Sequence, residues 1–265
     1  MKKKLTIISI LCLAFSSLAG AQGTTNDLDP EFGGRLSVGM DKKIVKGFHW
    51  TLDGEIRSQD NFSDLGRYQF GTGLTYKISD FFKVGAGYIY ISNKNTADVW
   101  KPRHRVYGDA TFSLRTGNWR FALKERLQLT HRDVGNPFQK VPNLVALKSR
   151  IKVSYKANPT ITSYAYLELR NVFNDPACSA TWNSGSQTYS DYSFTGYTDT
   201  HFDRLRGSVG AEWKLNKQNA FEFYLLGDLN KEKNIDTNAE GTKLKSLTYD
   251  RQFFGGIGIG YVFSF

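Results

Sequence analysis

Cysteine, proline and long apolar runs are all scarce in this chain of 265 residues. Cys12 lies in a segment that we expect to be removed, so Cys178 remains alone and no internal disulfide can form. Beyond residue 21, no window supplies the roughly 20 apolar residues that a membrane helix needs. The four histidines form no cluster with metal-ligand spacing. These absences exclude a disulfide scaffold and a helical membrane bundle, and we expect no metal and no cofactor.

Aromatic residues and glycines are abundant instead. Phe, Trp and Tyr make up 14% of the chain, which also holds 25 glycines but only 6 prolines. The mean hydropathy of −0.42 is typical of a soluble protein. A membrane β-barrel has a similar value, because half of each of its strands is polar. The composition therefore favours strands with aromatic girdles over a helical domain.

The first 21 residues have the pattern of a secretory signal. A basic start, Lys2 to Lys4, precedes the apolar run from Leu5 to Ala14, and small residues end the segment at Ala21. The alternative is a membrane anchor, but the run is too short to span a bilayer comfortably. Cleavage after Ala21 lowers the formal charge from +10 to about +7. Because the chain is exported, its basic charge does not indicate nucleic acid as a partner.

The last strand has two different faces. Ile257, Ile259, Tyr261 and Phe263 alternate with small residues, mostly glycine, and this period of two indicates a strand. A lipid-facing strand explains why large aromatics close the chain. The ending resembles the C-terminal signature of bacterial outer-membrane proteins. That resemblance implies that Tyr261, Phe263 and Phe265 form an assembly signal, which the outer-membrane assembly machinery reads.

Similar alternation recurs along the chain and predicts an all-β fold, an antiparallel transmembrane β-barrel of about 10 to 12 strands. Eleven strands are legible between residues 32 and 265. Bacterial barrels of one chain have even strand numbers, which favours twelve. The polar segment 22–31 then either hides a strand or threads the lumen. The predicted domains are the signal peptide (1–21), this N-terminal segment (22–31) and the barrel (32–265).

Short and long connections alternate, which predicts the orientation. Short turns at 42–47, 79–80, 117–118, 157–160 and 217–219 should face the periplasm. The longer connections, above all 174–201 and 231–247, should be extracellular loops. The N-terminus then lies at the outer side. The predicted location is the outer membrane of a Gram-negative bacterium, where lipid and lipopolysaccharide surround the barrel.

Three stretches carry a wider resemblance. They are the opening EFGGRLSVGMDKKIVKGFHWTLDGEIR, the central RFALKERLQLTHR and the aromatic C-terminus. The mature chain is similar in these to a family of bacterial outer-membrane β-barrels named domain of unknown function 2490. The resemblance implies the barrel fold and brings no catalytic residues.

Arginines with inward parity recur in the outer part of the predicted strands. We expect them to ring the outer mouth: Arg35, Arg57, Arg67, Arg105, Arg132, Arg170, Arg204 and Arg206. One interpretation is a porin-like vestibule for small anionic solutes, since rings of arginine favour anions. The other is a ladder of salt bridges that fills a narrow barrel, with surplus arginines reaching lipopolysaccharide phosphates.

A second candidate site is the loop 174–201, whose aromatic residues alternate with Ser, Thr and Asp. Its candidate ligand-binding residues are Trp182, Tyr189, Tyr192, Phe194 and Tyr197. They could stack on a glycan or bind a protein partner, or they could instead form a lid over the mouth or an interfacial girdle.

One residue breaks the pattern of the outward face, and no catalytic constellation stands out. Glu125 falls between Leu123 and Leu127, where a β-bulge or a helper contact could explain it. A lipid-modifying enzyme would need a nucleophile and a base within reach. Of the histidines, only His131, near Ser or Thr at the outer rim, offers this. The sequence therefore favours a narrow anion-biased pore, with a non-conducting, ligand-binding barrel and an enzyme as alternatives.

Overall fold

The computed structural model describes residues 23–95 and 97–265; the predicted signal peptide lies outside them. Among these residues there is no helix long and apolar enough to span a membrane. The strands are β1 (Thr24–Asp27), β2 (Glu31–Val45), β3 (Phe48–Gln59), β4 (Asp64–Lys77), β5 (Phe82–Lys94), β6 (Trp100–Thr116), β7 (Trp119–Arg132), β8 (Asn143–Lys156), β9 (Ile161–Asn183), β10 (Thr188–Lys214), β11 (Asn219–Thr237) and β12 (Leu244–Ser264).

Strands β2 to β12 form one closed barrel. Each pairs antiparallel with its neighbour in sequence, and β12 returns to pair with β2. That last pairing is parallel and runs from Phe254 opposite Glu31 to Ser264 opposite Asp41. An odd number of up-and-down strands can close only in this way, because the first and last strands point in the same direction. The predicted β-barrel is thus confirmed, with a parallel seam between β2 and β12.

The polar N-terminal segment contains the twelfth strand. Strand β1 pairs in parallel with residues 248–251 of β12, on the edge that β2 occupies further along. The sheet therefore has twelve strands, of which eleven close the barrel. The segment extends the seam and does not thread the lumen.

The two ends of the barrel differ. One end carries the short connections and the C-terminus, and we call it the turn end. The other carries strand β1 and the longer connections, and we call it the loop end. This division follows the prediction from connection lengths.

Two predicted loops are largely strand, which corrects the expectation of irregular structure there. Strand β9 continues to Asn183 and β10 begins at Thr188, so residues 174–201 form a hairpin with a tip at 184–187. Strands β11 and β12 likewise extend to Thr237 and from Leu244. The sequence hides the β9 and β10 extensions because register shifts interrupt the period of two there, between Ser190 and Ser193, between Phe194 and Gly196 and between Gly196 and Asp199.

The outward face of the barrel strands is mostly apolar, as the alternation predicted. Its large side chains are open to the surroundings, with 71% of Leu114, 62% of Ile151 and 61% of Leu167 exposed. A protein in water rarely leaves so many large apolar side chains in one continuous band. The band has the composition of a surface made for a non-aqueous environment.

Aromatic side chains border this band on both sides. At the turn end, Trp119 and Tyr155 have ring centroids 4.7 Å apart, and Phe82 stacks on Phe112 at 4.6 Å. Near the loop end, Tyr68 lies 5.0 Å from Trp100. The other pairs of the two belts are Phe48 with Tyr76, Phe221 with Tyr261, Phe32 with Phe253, and Tyr90 with His104.

Glu125 lies on the outward face without a β-bulge. The pairings of β7 with β6 and β8 run through it without a register shift, opposite Ala110 and Ser149. The Ser149 hydroxyl donates a hydrogen bond of 2.6 Å to the Glu125 carboxyl. Of the two explanations considered, a contact that supports the carboxyl group is therefore present, and a β-bulge is absent at this position.

Glycines on β12 make room inside the barrel. A Cβ at Gly258 would overlap the Tyr224 ring, whereas a Cβ at Gly108, on the outward face of β6, would meet nothing within 4 Å. Gly258 thus allows the Tyr224 side chain to cross the inner surface of the neighbouring strand.

We therefore expect Gly258→Ala to lower the free energy of unfolding by about 1–3 kcal/mol, the usual cost of overpacking. Gly108→Ala is the matched control and should leave stability unchanged or raise it slightly. Urea unfolding of the folded barrel, followed by tryptophan fluorescence, measures both. Equal stability of the two variants would contradict this account of Gly258.

Candidate functional site

The eight arginines of the predicted ring all point into the barrel, in its loop-end half, as their parity predicted. Several lie close together, since five of them line one cavity. They do not form an open ring at the rim, however. Only 6% of the Arg35 side chain and 8% of the Arg206 side chain are exposed. Most of the arginines are buried parts of a network that includes carboxylates.

The most buried ion pairs surround Asp228. Arg206 donates two hydrogen bonds of 2.6 Å to its carboxylate, through Nε and Nη2. Arg35 approaches the same carboxylate from β2, with Nη2 3.4 Å from Oδ2. Strand β12 lies between β2 and β11, and its inward glycines at 256 and 258 leave the path open. Asp228 therefore bridges three strands near the seam.

Glu168 is a second shared carboxylate. Arg150 donates to it from β8, with Nε 2.9 Å from Oε2. Arg204 donates to its other oxygen from β10, at 3.2 Å. Nearby, Arg170 pairs with Asp203 through Nε at 2.6 Å. This side of the lumen resembles the ladder of salt bridges that the sequence allowed as an alternative.

Asp109 is the third shared carboxylate and lies deeper in the lumen. Arg126 binds it through two hydrogen bonds of 2.6 and 2.7 Å, and Lys124 approaches to 2.8 Å. The Arg126 guanidinium also stacks 3.8 Å from the centre of the Tyr107 ring. Each of the three carboxylates thus holds two cations.

Other cations inside the barrel have no such partner. Within the described residues, no carboxylate lies within 4.0 Å of Arg67, Arg105 or Lys148. Arg67 donates instead to Asn93 at 2.5 Å, and Arg105 donates to Thr130 at 2.9 Å. The Nε atoms of Arg35 and Arg204 are buried without a hydrogen-bond partner. The interior therefore keeps an excess of positive charge.

This excess surrounds a cavity of about 270 Å³ in the loop-end half of the lumen. We call it the arginine cavity. Its charged lining consists of Arg35, Arg57, Arg67, Lys94, Arg204 and Arg206, with Glu31 and Asp228. Five of the eight predicted arginines thus meet at one cavity. Arg57 also pairs with Glu55, and Lys94 pairs with Asp64 and Asp98, so Arg67 is the one cation of the described lining without a carboxylate within 4.0 Å. Together with the unpaired Nε groups of Arg35 and Arg204, it gives the cavity the chemistry of an anion-binding site.

Arg132 has a different position from the rest. Its Nε donates to the Val141 carbonyl oxygen at 3.0 Å, so it holds the loop 133–142 in place. That loop meets the β11 extension through Lys140, 3.0 Å from Glu232, and through Asn136, which donates to Thr237 at 3.1 Å. Arg132 therefore anchors a connection and does not line the arginine cavity.

The aromatic candidates of the long hairpin pack against other parts of the loop end. The Trp182 and Tyr189 rings pair across the hairpin at 4.8 Å. Tyr192 packs on a buried cluster formed by Ile235, Leu244 and Leu247. Phe194 meets Phe138 at 5.3 Å, and the Tyr197 hydroxyl donates to the Pro137 carbonyl at 3.1 Å. Their main role in the structure is to join three connections, which agrees with the lid-like alternative.

Three ligand-type groups that the sequence separates meet at the base of this hairpin. Asp175 and Asp199 are direct partners across β9 and β10, and His201 lies beside them, with donor atoms within 4.8 Å of one another. Only the hairpin register could have revealed this group. Lys233 already occupies it, donating to Asp199 at 2.7 Å and to the Pro176 carbonyl at 2.8 Å. An ammonium group is thus the observed partner of the Asp199 carboxylate in this group.

The two carboxyl groups at this base titrate differently. Burial would raise the pKa of Asp199, but His201 and the hydrogen bond from Lys233 outweigh burial and hold that pKa well below its usual range. Burial raises the pKa of Asp175, and the nearby cations only partly oppose it. Lys233 and Asp199 therefore form an ion pair that fastens the hairpin to β11.

The histidines contact groups that do not form a catalytic pair. His131 bonds to the Asn143 side chain at 2.8 Å, and His104, which faces outward as predicted, bonds to the Tyr88 hydroxyl at 2.6 Å. His49 bonds to Asp41 at 2.7 Å, at the turn end. The expectation that the chain is not an enzyme stays a prediction.

The C-terminal aromatics lie at the seam. Tyr261 and Phe263 face outward on β12, and the Phe263 and Phe265 rings are 5.4 Å apart. The Phe265 amide donates to the Asp41 carbonyl at 3.0 Å, which ties the last residue to β2. Their role as an assembly signal stays a prediction.

Comparison with known families agrees with this architecture. Residues 33–239 match the model of a family described as protein of unknown function, DUF2490. The chain belongs to this family. The matched residues run from the start of β2 to the end of β11 and include most of the residues that line the arginine cavity. No curated protein matches the chain.

Because two arginines share the Asp228 carboxylate, we expect its removal to lower the stability of the barrel strongly. Asp228→Asn leaves two buried guanidinium groups without their counter-charge, and we expect a loss of about 3–5 kcal/mol in the free energy of unfolding. The control is Asp80→Asn, which breaks the solvent-exposed pair with Lys77 at the turn end and should not change stability measurably. Urea unfolding compares the two, and an Asp228→Asn barrel of wild-type stability would contradict the network.

The contacts of Lys233 predict that its replacement destabilises the 174–201 hairpin locally. Lys233→Met leaves Asp199 without its ammonium partner and removes the hydrogen bond to the Pro176 carbonyl. Amide hydrogen exchange over residues 174–201 should then become faster by about tenfold or more. Lys231→Met, two residues earlier and over the Tyr249 ring, is the control and should leave that exchange unchanged.

The pH dependence of the same protection follows from the low pKa of Asp199. A carboxyl group with a lowered pKa stabilises the folded hairpin above its unfolded pKa of about 4 and loses that contribution as the pH falls toward the folded value. The protection of the 174–201 amides against hydrogen exchange, corrected for the intrinsic exchange rate, should therefore stay constant from pH 7 to about 4 and decrease only below pH 4. A decrease that begins near pH 6 would contradict the ion pair.

Proposed function

We propose that this protein is an integral outer-membrane β-barrel that admits small anions through the arginine cavity at its loop end. The location is supported by the apolar outward band and by the aromatic belts on both sides of it. Short connections at one end and long ones at the other correspond to the periplasmic and extracellular ends of such barrels. In this orientation, the arginine cavity lies toward the extracellular side.

The observation that carries the function is the group of cations and unpaired donors around the arginine cavity. Five arginines and one lysine line it. Among the described residues, Arg67 has no carboxylate within 4.0 Å, and the buried Nε atoms of Arg35 and Arg204 lack hydrogen-bond partners. Uncompensated charge inside a protein is costly, so a bound or passing anion would stabilise this arrangement. Rings of arginine in narrow pores select anions for the same reason.

The long hairpin is a weaker candidate for the main binding site. Tyr192, Phe194 and Tyr197 each contact another part of the loop end, so part of their surface is used for packing, although Trp182 and Tyr197 remain 40% and 37% exposed. An enzymatic function has less support, because the described histidines bond to amide, phenol and carboxylate groups. We therefore favour the lumen over the loops as the place where the protein acts.

Ion selectivity tests the proposal. We expect protein purified from outer membranes to form small, steady conductance steps in a planar bilayer, with a reversal potential under a KCl gradient that favours chloride. Arg67→Gln combined with Arg105→Gln removes two cations that lack a carboxylate partner, and should shift the permeability ratio toward potassium by about two- to fivefold.

The matched control is Arg115→Gln combined with Arg120→Gln, which removes the same charge from the turn end of the lumen. This control should change the ratio less than the Arg67 and Arg105 variant does. A correctly folded barrel that never conducts would overturn the pore, and a protein that is absent from the outer-membrane fraction would overturn the location.

A further inference from the structure

Neutral amide side chains lie between the arginines of the cavity. Gln59, Asn93, Asn230 and Gln252 all line it. They come from four different strands, β3, β5, β11 and β12. The arginine cavity therefore offers more than positive charge, and the kind of hydrogen bond that each amide can still make indicates what would fit it.

Three of these amides are already fixed at one end. Gln59 donates through Nε2 to Asp64 at 3.3 Å, and Gln252 donates through Nε2 to the Asp29 carbonyl at 3.3 Å. Asn93 accepts from Arg67 through Oδ1. These contacts hold the side chains in place. They leave the amide oxygens of Gln59 and Gln252 as acceptors and the amide nitrogen of Asn93 as a donor.

Acceptors beside arginines distinguish between classes of anion. A bare inorganic anion accepts hydrogen bonds and offers no hydrogen, so amide oxygens in its site would oppose it. A ligand that carries hydroxyl groups as well as a negative charge can use both kinds of partner. The arginines would hold the charged group, and the amide oxygens would accept from the hydroxyls.

The size and the apolar part of the cavity agree with such a ligand. Its volume of about 270 Å³ is below the range of roughly 300–1,000 Å³ typical of sites for drug-sized molecules, so a monosaccharide-sized compound is the appropriate scale. The Phe254 ring also lines the cavity, with the Arg35 guanidinium 5.7 Å from its centre. An aromatic face beside polar groups suits the C–H surface of a sugar ring.

We propose that the arginine cavity binds a hydroxylated organic anion of monosaccharide size, a sugar that carries one carboxylate or one phosphate group. This inference rests on the proposed function, because it names the solute class for the same cavity. The charged group binds among Arg57, Arg67 and Arg204, and the hydroxyls bind the amides of Gln59, Asn230 and Gln252.

Calorimetric titration of the purified full-length mature protein in detergent tests the solute class. The probes are glucuronate and glucose 6-phosphate, with glucose as the uncharged polyol and cyclohexanecarboxylate as the anion without hydroxyls. We expect at least one of the two charged sugars to bind about tenfold or more tightly than both glucose and cyclohexanecarboxylate. The ratio between the two sugars shows whether a carboxylate or a phosphate is preferred.

Variants separate this inference from the pore itself. Asn230→Leu combined with Gln252→Met should weaken binding of the preferred sugar by about tenfold, and weaken cyclohexanecarboxylate binding much less. Gln69→Met, which removes an inward amide outside the cavity, is the control and should preserve sugar binding. Circular dichroism and heat stability confirm that each variant is folded.

The possible failures are distinguishable. If the barrel prefers chloride but binds cyclohexanecarboxylate as tightly as the charged sugars, the solute class is wrong and the anion pathway stands. If the Asn230 and Gln252 variant keeps full sugar affinity, the amides do not recognise hydroxyls and the inference is wrong. If the folded barrel neither prefers chloride nor binds any of these anions, both the pathway and the solute class fail.

Discussion

Three carboxylates inside the barrel each hold two cations, and the order of the interior depends on this sharing. Asp228 joins Arg206 to Arg35, and Glu168 joins Arg150 to Arg204. Each shared carboxylate connects side chains from different strands, so it fixes the positions of guanidinium groups that would otherwise repel one another. The cost of burying these charges is offset only while the hydrogen bonds are complete.

The same sharing leaves the interior positive. One carboxylate cannot neutralise two guanidinium groups, and Arg67 and Arg105 are paired only with neutral side chains. Rigidity and the proposed anion affinity would thus have a common origin, because the network that orients the arginines does not cancel their charge. Of the two interpretations of the inward arginines, the salt-bridge ladder is present around the three shared carboxylates, and the anion vestibule stays a prediction.

Much of the fold could be predicted from the sequence because one physical rule governs it. A barrel wall exposes alternate residues to two environments, so a period of two identifies each strand and the face of each side chain. This rule placed Arg35 and Arg204 inside and Leu36 outside. It also identified Glu125 as an exception, and the structure gives that residue a Ser149 partner on the neighbouring strand.

The remaining features depend on register, which a period of two does not specify. The meeting of Asp199, Asp175 and Lys233, and the gathering of five arginines at one cavity, follow from how far each strand is displaced against the next. The β9 and β10 extensions were missed because register shifts interrupt their period of two. The parallel seam was missed for a related reason. The first and last barrel strands run in the same direction only if the number of barrel strands is odd, and the polar strand β1 obscured that number.

The parallel seam also constrains how the barrel forms. Every other pairing in the wall joins strands that follow one another in the chain, so each can form as a local hairpin soon after its second strand is available. The seam joins residues more than 200 positions apart, and its loop-closure entropy is the largest in the molecule. Until the final strand arrives, the sheet is an open ribbon with two unpaired edges. Completion of the wall is therefore a single late event, and the last residues of the chain decide when the lumen is enclosed.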